Sequence, residues 1–456
     1  MDKRFFQLTV SLFLGLTIAF AGVSRAMTLA RAVAWSMDHN RDILSVKQQI
    51  AERQGQVIEA RSDALPQIDL LATTNRLRNP GMLNSTFGQA LLKGEGFGDE
   101  APPIPIEALL PQPQTYYDLT LNFSQPLFTW GKVSNAVKLA RLGIDDTDLS
   151  LEAIRNDVAY QVTSAYYDVL LAEEAIVTYE KAIETQARYL RRTRDFFELG
   201  DATRLDLLRA EAQLAATEPN LLEAKNGLVI AKKQLNFILG RPLDSAVSAN
   251  QAEIEEDYRA PELEEVITSA MAKRPDLKRL NIQVEMYSKT ISVFKADLRP
   301  RVDLRGYYGF STIKTGNLFD RNYENWNIAL EISVPIFDGF KNRGIIKQYK
   351  SQQARKEIET GKLAEQIRLE ARQSVDACNS AAEVYHARRV SLASLEEEER
   401  VTADLSEQGL ATLYELLDSN RRTLESKTDC LVARYGLLRQ IAALKRVMGI
   451  PVDELF

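Results

Sequence analysis

Apolar side chains in the middle of the chain recur with the spacing of a coiled coil. Across residues 158–183 they alternate at intervals of four and three, and leucines follow seven apart across 207–235 and again across 417–438. These intervals place apolar residues on one face of a helix. Gly200 and Gly409 separate an outgoing from a returning segment. The pattern predicts two antiparallel coiled-coil hairpins, whose outgoing helices of roughly 65–70 residues would be about 100 Å long.

Shorter segments alternate apolar and polar residues with a period of two, which predicts β-strands. The clearest examples are residues 117–124, 302–310 and 326–334, and residues 66–75 show the pattern more weakly. One apolar face per strand fits a half-buried sheet in a soluble protein. It fits equally a membrane barrel with lipid outside and a polar lumen inside. The strands alone leave both interpretations open.

Prolines mark the changes between helix and strand, because proline cannot continue a helix. Two of them end amphipathic helices predicted at residues 29–65 and 263–298, and two precede the long helical segments. The four predicted junctions are Pro66, Pro126, Pro300 and Pro335.

The two halves of the chain repeat each other, as expected of an internal duplication. At a constant offset of 209, residues 125–128 resemble 334–337, 198–203 resemble 407–412, and 239–244 resemble 448–453. Residues 64–70 resemble 298–304 at an offset of 234, so the first copy has 25 extra residues, in its turn-rich loop 77–114. We therefore predict two repeats, 27–245 and 246–456, each with a helix, two strands and a long hairpin.

The N-terminus predicts export from the cell. A cationic start, an apolar stretch at 8–23 and the small residues Ser24 and Ala26 are typical of a cleaved signal peptide, 1–26, more than of a membrane anchor. Without another long apolar run, any membrane span must consist of strands. Four strands cannot close on themselves, so several chains would each contribute four; three chains give 12, within the range of known barrels.

The amino-acid composition argues against several other classes of function. A formal net charge of −6 argues against a nucleic-acid partner. Two His and two Cys argue against a metal site or a disulfide scaffold. Cys378 and Cys430 match the seam positions Val169 and Leu221 at the offset of 209, which favours apolar packing over a bridge. No nucleophile elbow or phosphate loop is present, so we predict no enzyme and no cofactor.

At this point the chain resembles the TolC-like outer-membrane efflux family. The resemblance rests on the duplication, the order helix–Pro–strand–loop–strand–Pro–helix, and the turn pattern Gly-x-x-Thr-x-x-acid-Leu-Leu. The pattern occurs at Gly200, Thr203, Asp206, Leu207 and Leu208, and again at Gly409, Thr412, Glu415, Leu416 and Leu417. It implies a homotrimer with one 12-stranded barrel in outer-membrane lipid and a helical tunnel in the periplasm. It also implies a passive exit duct that docks with a periplasmic adaptor and an inner-membrane pump or ABC transporter.

The hairpin tips are the candidate site. Four acids lie near the predicted tips of each chain: Asp201, Asp206, Glu415 and Asp418. Trimerisation would bring three copies of each acid around one axis. The family resemblance implies that Asp206 lies at the pore constriction. The alternative is that Thr203 and Thr412 are helix N-caps and the acids merely solvated surface. The ten residues of the turn pattern, apart from the two acids, are also the predicted adaptor-docking tips. We expect one leucine of each pair to face the core and the other a groove between hairpins.

Two functional alternatives remain at this stage. A periplasmic coiled-coil adaptor or scaffold would use the hairpins without a pore. Within the family, small-molecule efflux and type I protein secretion both fit the sequence, because specificity would reside in the pump.

Overall fold

The computed structural model describes residues 27–77, 113–250 and 258–450. The predicted signal peptide, loop residues 78–112 and chain end 451–456 lie outside the described residues. The helices are α1 (Leu29–His39), α2 (Arg41–Ser62), α3 (Lys132–Leu199), α4 (Arg204–Ile238), α5 (Leu263–Lys273), α6 (Pro275–Ala296), α7 (Lys341–Glu407) and α8 (Leu413–Val447). The strands are β1 (Gln67–Leu77), β2 (Gln114–Phe128), β3 (Arg301–Thr312) and β4 (Glu324–Ser333). The fold is mainly helical with a small β part, as predicted.

Element bounds repeat at the offsets seen in the sequence. Helices α1 and α5 have 11 residues each and α2 and α6 have 22 each. Helices α4 and α8 have 35 residues each, and their first residues, 204 and 413, lie 209 apart. The outgoing helices α3 and α7 have 68 and 67 residues, which confirms the predicted hairpin length.

The described chain divides into two compact units that cut across the repeats. The bundle unit comprises residues 27–50, 146–250, 258–281 and 357–450, and the sheet unit comprises 51–77, 113–145 and 282–356. Each unit takes segments from both copies. The repeat boundaries at 245 and 246 therefore stay a prediction about the sequence.

The prediction of a single helix at the start of each repeat was wrong. The first is broken at Asn40, whose side-chain Oδ1 accepts hydrogen bonds from the backbone N–H groups of Asp42 and Ile43 at 2.9 and 3.3 Å. The second is broken at Arg274, which precedes Pro275 and has an extended ψ of 123°. A residue before proline avoids the helical conformation because the proline ring crowds it.

The ends of the hairpins pack against these two breaks. The Asn40 side chain donates a hydrogen bond from Nδ2 to the carbonyl of Ile238 at 2.8 Å. Gly240 has a φ of +71°, and a Cβ added there would lie 2.2 Å from the carbonyl oxygen of His39. Gly449 stands at the equivalent place, where an added Cβ would lie 3.0 Å from the amide nitrogen of Arg274. The repeated Gly-x-Pro motif thus allows a close backbone approach.

In the bundle unit, contacts along the helix shafts run from α4 to α3, from α3 to α8 and from α8 to α7. Lys232 of α4 pairs with Glu173 of α3 at 2.9 Å. Glu174 of α3 pairs with Arg434 of α8 at 3.3 Å. Thr423 of α8 donates a hydrogen bond to a carbonyl of α7 at 3.1 Å. The predicted seam residues Val158, Val162, Ala165 and Val169 are buried in one hydrophobic cluster, and Cys378 is buried in a second. Cys378 and the half-buried Cys430 are both free thiols.

In the sheet unit, four antiparallel strands lie in the order β1-β2-β3-β4. Leu70 pairs with Leu121, Leu121 with Tyr308, and Tyr308 with Trp326, so all four share one face of the sheet. Each of these side chains is exposed. The opposite face is polar: Asn122 donates to Asp69 at 2.9 Å, and Arg305 pairs with Glu331 at 3.1 Å. The sheet is therefore amphipathic, with its apolar face uncovered in the described chain.

The predicted junction prolines occupy different positions relative to the strands. Pro66 and Pro300 directly precede β1 and β3, and Pro335 follows β4 by two residues. Pro126 lies inside β2, at the irregularity between Pro126 and Phe128 where the pairing with β3 shifts by one residue. A β-bulge is one of the places in a sheet that accommodates proline, since the ladder is already interrupted there.

Among the residues described, no helix combines the length and the hydrophobicity that a bilayer crossing requires.

Candidate functional site at the hairpin tips

Each hairpin tip turns at a glycine with positive φ. Gly200 has a φ of +88° and Gly409 of +75°, and an added Cβ would meet nothing within 4 Å at either place. Backbone hydrogen bonds close the helix ends: Asp201 N–H donates to the Phe196 carbonyl at 2.8 Å, and Leu410 N–H to the Leu405 carbonyl at 2.9 Å. This is the pattern in which glycine adopts the left-handed conformation after a helix.

A reciprocal capping box begins each returning helix, which confirms Thr203 and Thr412 as N-caps. Thr203 Oγ1 accepts from the backbone N–H of Asp206 at 3.2 Å, and the Asp206 carboxylate accepts from the Thr203 N–H at 3.1 Å and its hydroxyl at 2.6 Å. In the second copy, Glu415 accepts from the N–H and hydroxyl of Thr412 at 2.8 and 2.9 Å. Both acids therefore satisfy otherwise free donors of a helix start.

These hydrogen bonds also keep the two acids charged. The Thr203 side-chain hydrogen bond lowers the pKa of Asp206 below its ordinary value of 3.8. The hydrogen bond from the Thr412 backbone N–H lowers the pKa of Glu415 below 4.5. Charge-assisted hydrogen bonds favour the ionised carboxylate. Each tip consequently carries a fixed negative charge at neutral pH.

The other two predicted acids are placed differently. Asp201 lies exposed in the first turn, next to Gly200. Asp418 is half-buried and pairs with Arg421 at 2.7 Å, one turn along α8. The structure thus gives capping roles to two of the four predicted constriction acids and an ion pair to a third.

The tip leucines differ in burial between the two copies, and the expectation that one of each pair faces a groove stays a prediction. In the first copy Leu207 is half-buried and Leu208 is 51% exposed. In the second, Leu416 and Leu417 are both buried, at 2% and 7% exposure. Near the tip, α8 contacts α3, α4 and α7, and these neighbours cover both of its leucines.

A groove of about 650 Å³ lies between the two tips. The Arg209 guanidinium lies 5.0 Å from the ring centre of Tyr414, and that of Arg192 lies 5.3 Å from the ring centre of Phe196. Arg192 and Phe196 lie one turn apart on α3, whereas only the fold brings Arg209 beside Tyr414, so the sequence did not predict the second contact. The groove combines arginine cations and aromatic faces with the capping acid Asp206.

Comparison with known proteins agrees with this geometry. The model of the family described as "Outer membrane efflux protein" matches residues 36–241 and 266–450. Outer membrane protein TolC of Vibrio cholerae is 23% identical over 459 aligned residues, covering 98% of this chain and 95% of that protein. Alkaline protease secretion protein AprF of Pseudomonas aeruginosa is 23% identical over 346 residues, covering 74% of this chain and 70% of that protein.

The Campylobacter jejuni CmeC outer membrane channel has the same fold, with a TM-score of 0.77 at 17% identity over 92% of this chain and 85% of that chain. These findings confirm the predicted resemblance and fold class. They also confirm the predicted role as an outer-membrane exit duct that reaches into the periplasm, and they do not favour a poreless adaptor. The chain therefore belongs to the outer membrane efflux protein family.

Proposed function

We propose that the chain works as a homotrimer in which three sheets complete one 12-stranded barrel. The observation that carries the proposal is the amphipathic sheet, which has an exposed apolar face and two edge strands, β1 and β4. Each of these strands pairs on one side only within the described residues. Unpaired backbone groups at an edge cost several kcal/mol each in lipid. Strands of neighbouring copies therefore cover the edges, and outer-membrane lipid covers the apolar face.

The duct is passive and offers a polar path. Asp69, Asn122, Arg305 and Glu331 lie on the face that would line the lumen. Energy would come from an inner-membrane pump or ABC transporter, through a periplasmic adaptor that docks at the tips. Small-molecule efflux and type I protein secretion fit the same duct, because the transporter selects the cargo. The family is one of transport proteins, and we propose no catalytic role.

The constriction would lie at the tips, where three copies repeat each acid around one axis. Asp206 and Glu415 supply the fixed charges, since hydrogen bonds hold their pKa values low. Asp201 and Asp418 add further acids nearby. Rings of carboxylates favour cations over anions in a narrow channel.

The adaptor would dock on the same tips, beside the groove between them. Exposed Leu208 offers an apolar contact, and the turn glycines keep the surface free of bulky side chains. The predicted docking set remains Gly200, Thr203, Leu207, Leu208, Gly409, Thr412, Leu416 and Leu417, with the two buried leucines acting as support beneath the surface.

Planar-bilayer conductance tests the duct and its charge ring. We expect the purified protein to give small cation-selective currents, and Asp206→Ala to enlarge them. Alanine also removes the carboxylate half of the capping box, so Asp206→Asn and Glu415→Gln are the matched variants: each keeps a side-chain acceptor for the threonine N–H and removes the charge. Loss of cation selectivity in these two variants supports the ring. Unchanged selectivity in all three variants rules the ring out.

Solubility tests the barrel against the scaffold alternative. A barrel protein needs detergent or lipid after its leader is removed, whereas a scaffold does not. A stable, lipid-free monomer in plain buffer that gives no conductance would contradict the proposed function.

A further inference from the structure

The strand ends on the helix side of the sheet carry a belt of aromatic and basic side chains. Three segments form this junction belt: residues 127–132 at the end of β2, 297–303 at the start of β3, and 334–343 after β4. The register of the sheet places them side by side, because Phe128 pairs with Val302 and Val302 with Ile332. Ile332 lies on the same face of β4 as Trp326, since the two are an even number of residues apart. The belt therefore continues the apolar face of the sheet toward the helices.

The turn that leads from strand to long helix has the same backbone conformation in both copies. Trp130 and Gly131 have φ values of +51° and +80°, and their repeat counterparts Gly339 and Phe340 both have +64°. Only one position of each turn is a glycine, so an aromatic residue adopts a left-handed conformation that is strained for a bulky side chain. Strained residues persist where a site depends on their placement. The repeated strain indicates that the positions of these two rings matter.

An arginine stacks on each of the strained rings. The Arg299 guanidinium lies 5.2 Å from the ring centre of Trp130, and that of Arg343 lies 5.5 Å from the ring centre of Phe340. Both rings are exposed, at 44% and 59%. A phenylalanine packs edge-on against each ring at centroid distances of 5.0 and 5.4 Å; the two are Phe128 and Phe337. Each turn thus presents an aromatic pair with a cation held on it.

The junction belt has an excess of positive charge in an acidic chain. It holds five cations and three acids, whereas the formal net charge of the chain is −6. Two of the cations pair with two of the acids, at 2.7 Å each: Lys132 with Asp297, and Arg301 with Asp303. The third acid, Asp338, accepts a hydrogen bond from the backbone N–H of Asn342 at 3.0 Å. Within the described residues three exposed cations of the belt form no ion pair: Arg299, Lys341 and Arg343.

We infer that the junction belt binds the headgroups of anionic phospholipids in the leaflet that faces the periplasm. This rests on the proposed function, in which lipid covers the apolar face of the sheet, and it names the lipid class that meets the helix-side rim. Aromatic residues flank the apolar band of membrane barrels at the interfaces. Clusters of Lys and Arg beside a bilayer attract anionic headgroups. The belt combines both features at one level of the sheet.

Neighbouring copies would leave the centre of the belt open to lipid. Trp130 follows β2, and Arg299 precedes β3. These are the two middle strands of the sheet, while the edges that would pair with other copies are β1 and β4. A lipid headgroup therefore suits this place better than a second copy of the chain.

Quenching of tryptophan fluorescence by brominated lipids tests the site. Trp35→Phe with Trp326→Phe leaves Trp130 as the single tryptophan of the full-length chain. Replacing all three by Phe and introducing Phe340→Trp gives a second reporter. Each protein is reconstituted in mixtures of phosphatidylglycerol and phosphatidylcholine in which one or the other lipid is brominated, and conductance shows that it is assembled. Comparing the two mixtures gives the relative affinity of the two headgroups beside the reporter.

We expect phosphatidylglycerol to be preferred by about fivefold beside Trp130, and Arg299→Gln to bring the preference close to one. Beside the reporter at position 340, Lys341→Gln with Arg343→Gln should have the same effect. Lys350→Gln is the matched control, because Lys350 is exposed on α7 and lies nine residues beyond Lys341, about 14 Å along the helix. It should keep the preference.

Equal affinities in the parent, or an unchanged preference in the belt variants of a conducting protein, would overturn the headgroup site alone. An equal loss in Lys350→Gln would assign the effect to net charge and overturn it as well. So would a loss caused by inorganic phosphate but not by sodium chloride of the same ionic strength, since a free anion would then occupy the cations. A lipid-free monomer without conductance would instead overturn the proposed function.

Discussion

The two hairpin tips are stabilised by single hydroxyl and carboxylate groups. Helices α4 and α8 each start with free backbone N–H groups, and one threonine and one acid satisfy them reciprocally. Because Asp206 and Glu415 are exposed or nearly so, their effect is local to the tip. In the proposed constriction, each carboxylate would cap its helix and line the channel at the same time.

The cap at Thr412 predicts a measurable local destabilisation. Thr412→Ala removes the acceptor for the Glu415 N–H, and N-cap replacements of this kind cost about 0.5–2 kcal/mol. We expect hydrogen exchange at amides 413–416 to become faster by the factor that corresponds to this loss of free energy. Thr428→Ala is the control, since Thr428 lies in the interior of α8 and bonds only to the Glu425 carbonyl one turn earlier. Equal acceleration in both variants would contradict the capping role.

The same caps predict how tip stability depends on pH. Folding lowers the pKa values of Asp206 and Glu415 below their ordinary 3.8 and 4.5. A lowered pKa means that the stabilisation is fully present above the ordinary value and is lost as the pH falls through the folded value. We expect hydrogen exchange at the tips to stay constant from pH 7 to about 5, after correction for intrinsic rates, and protection to fall below pH 4.5. Glu415→Gln should remove this dependence at the second tip.

Two glycine positions predict different costs for the same substitution to alanine. Gly200→Ala meets nothing within 4 Å, so it costs only the strain of a positive φ, about 1–2 kcal/mol. Gly240→Ala would place a methyl group 2.2 Å from the His39 carbonyl oxygen and must displace the backbone. We expect Gly240→Ala to lower the melting temperature markedly and Gly200→Ala to lower it slightly. A smaller loss for Gly240→Ala would show that the helix break can move freely.

The structural roles of some of these residues could be predicted from the sequence, and those of others could not. The pattern Thr-x-x-acid is a local signature, so the caps were predictable. The break at Asn40 was not, because apolar periodicity continues across it and the Ile238 carbonyl that binds its side chain lies 198 residues away. The contact of Arg209 with Tyr414 could not be predicted either, because the two residues are far apart in the sequence.

Among the helices, the interface between α3 and α8 depends on a cluster of polar and aromatic side chains. Tyr435 is fully buried, and burial, followed by the neighbouring Glu174 carboxylate, raises its pKa, so its hydroxyl stays a neutral donor. Arg434 holds the same carboxylate from another side. The cluster joins α3 and α8 with a preferred register, whereas apolar contacts alone are less specific.

Tyr435→Phe tests this cluster with little change in shape. The variant removes one hydrogen bond and leaves Glu174 with Arg434, so we expect a loss of about 1–2 kcal/mol in the free energy of unfolding. A double-mutant cycle with Glu174→Gln isolates the coupling between the two side chains. Additive losses in denaturant unfolding would show that the hydroxyl and the carboxylate do not interact energetically.

For the whole molecule, the sequence was most informative where a signal repeats. The heptad spacing, the period of two and the constant offset are patterns that each extend over many residues. They predicted the hairpins and the strands. The bulge at Pro126 and the burial of both Leu416 and Leu417 depend on a single neighbouring element. Such features appear only when the order of packing is known.

The amphipathic sheet predicts different effects for adjacent residues of β4. Ile328 is 73% exposed on the apolar face, whereas Asn327 lies on the polar face opposite Tyr307. Arginine facing lipid near the bilayer midplane costs about 2–4 kcal/mol, while a lumen position tolerates charge. We therefore expect Ile328→Arg to lower the urea concentration at which the proposed trimer unfolds in lipid vesicles, and Asn327→Arg to leave it nearly unchanged. If Asn327→Arg proved the more damaging change, the apolar face would not be the one in contact with lipid.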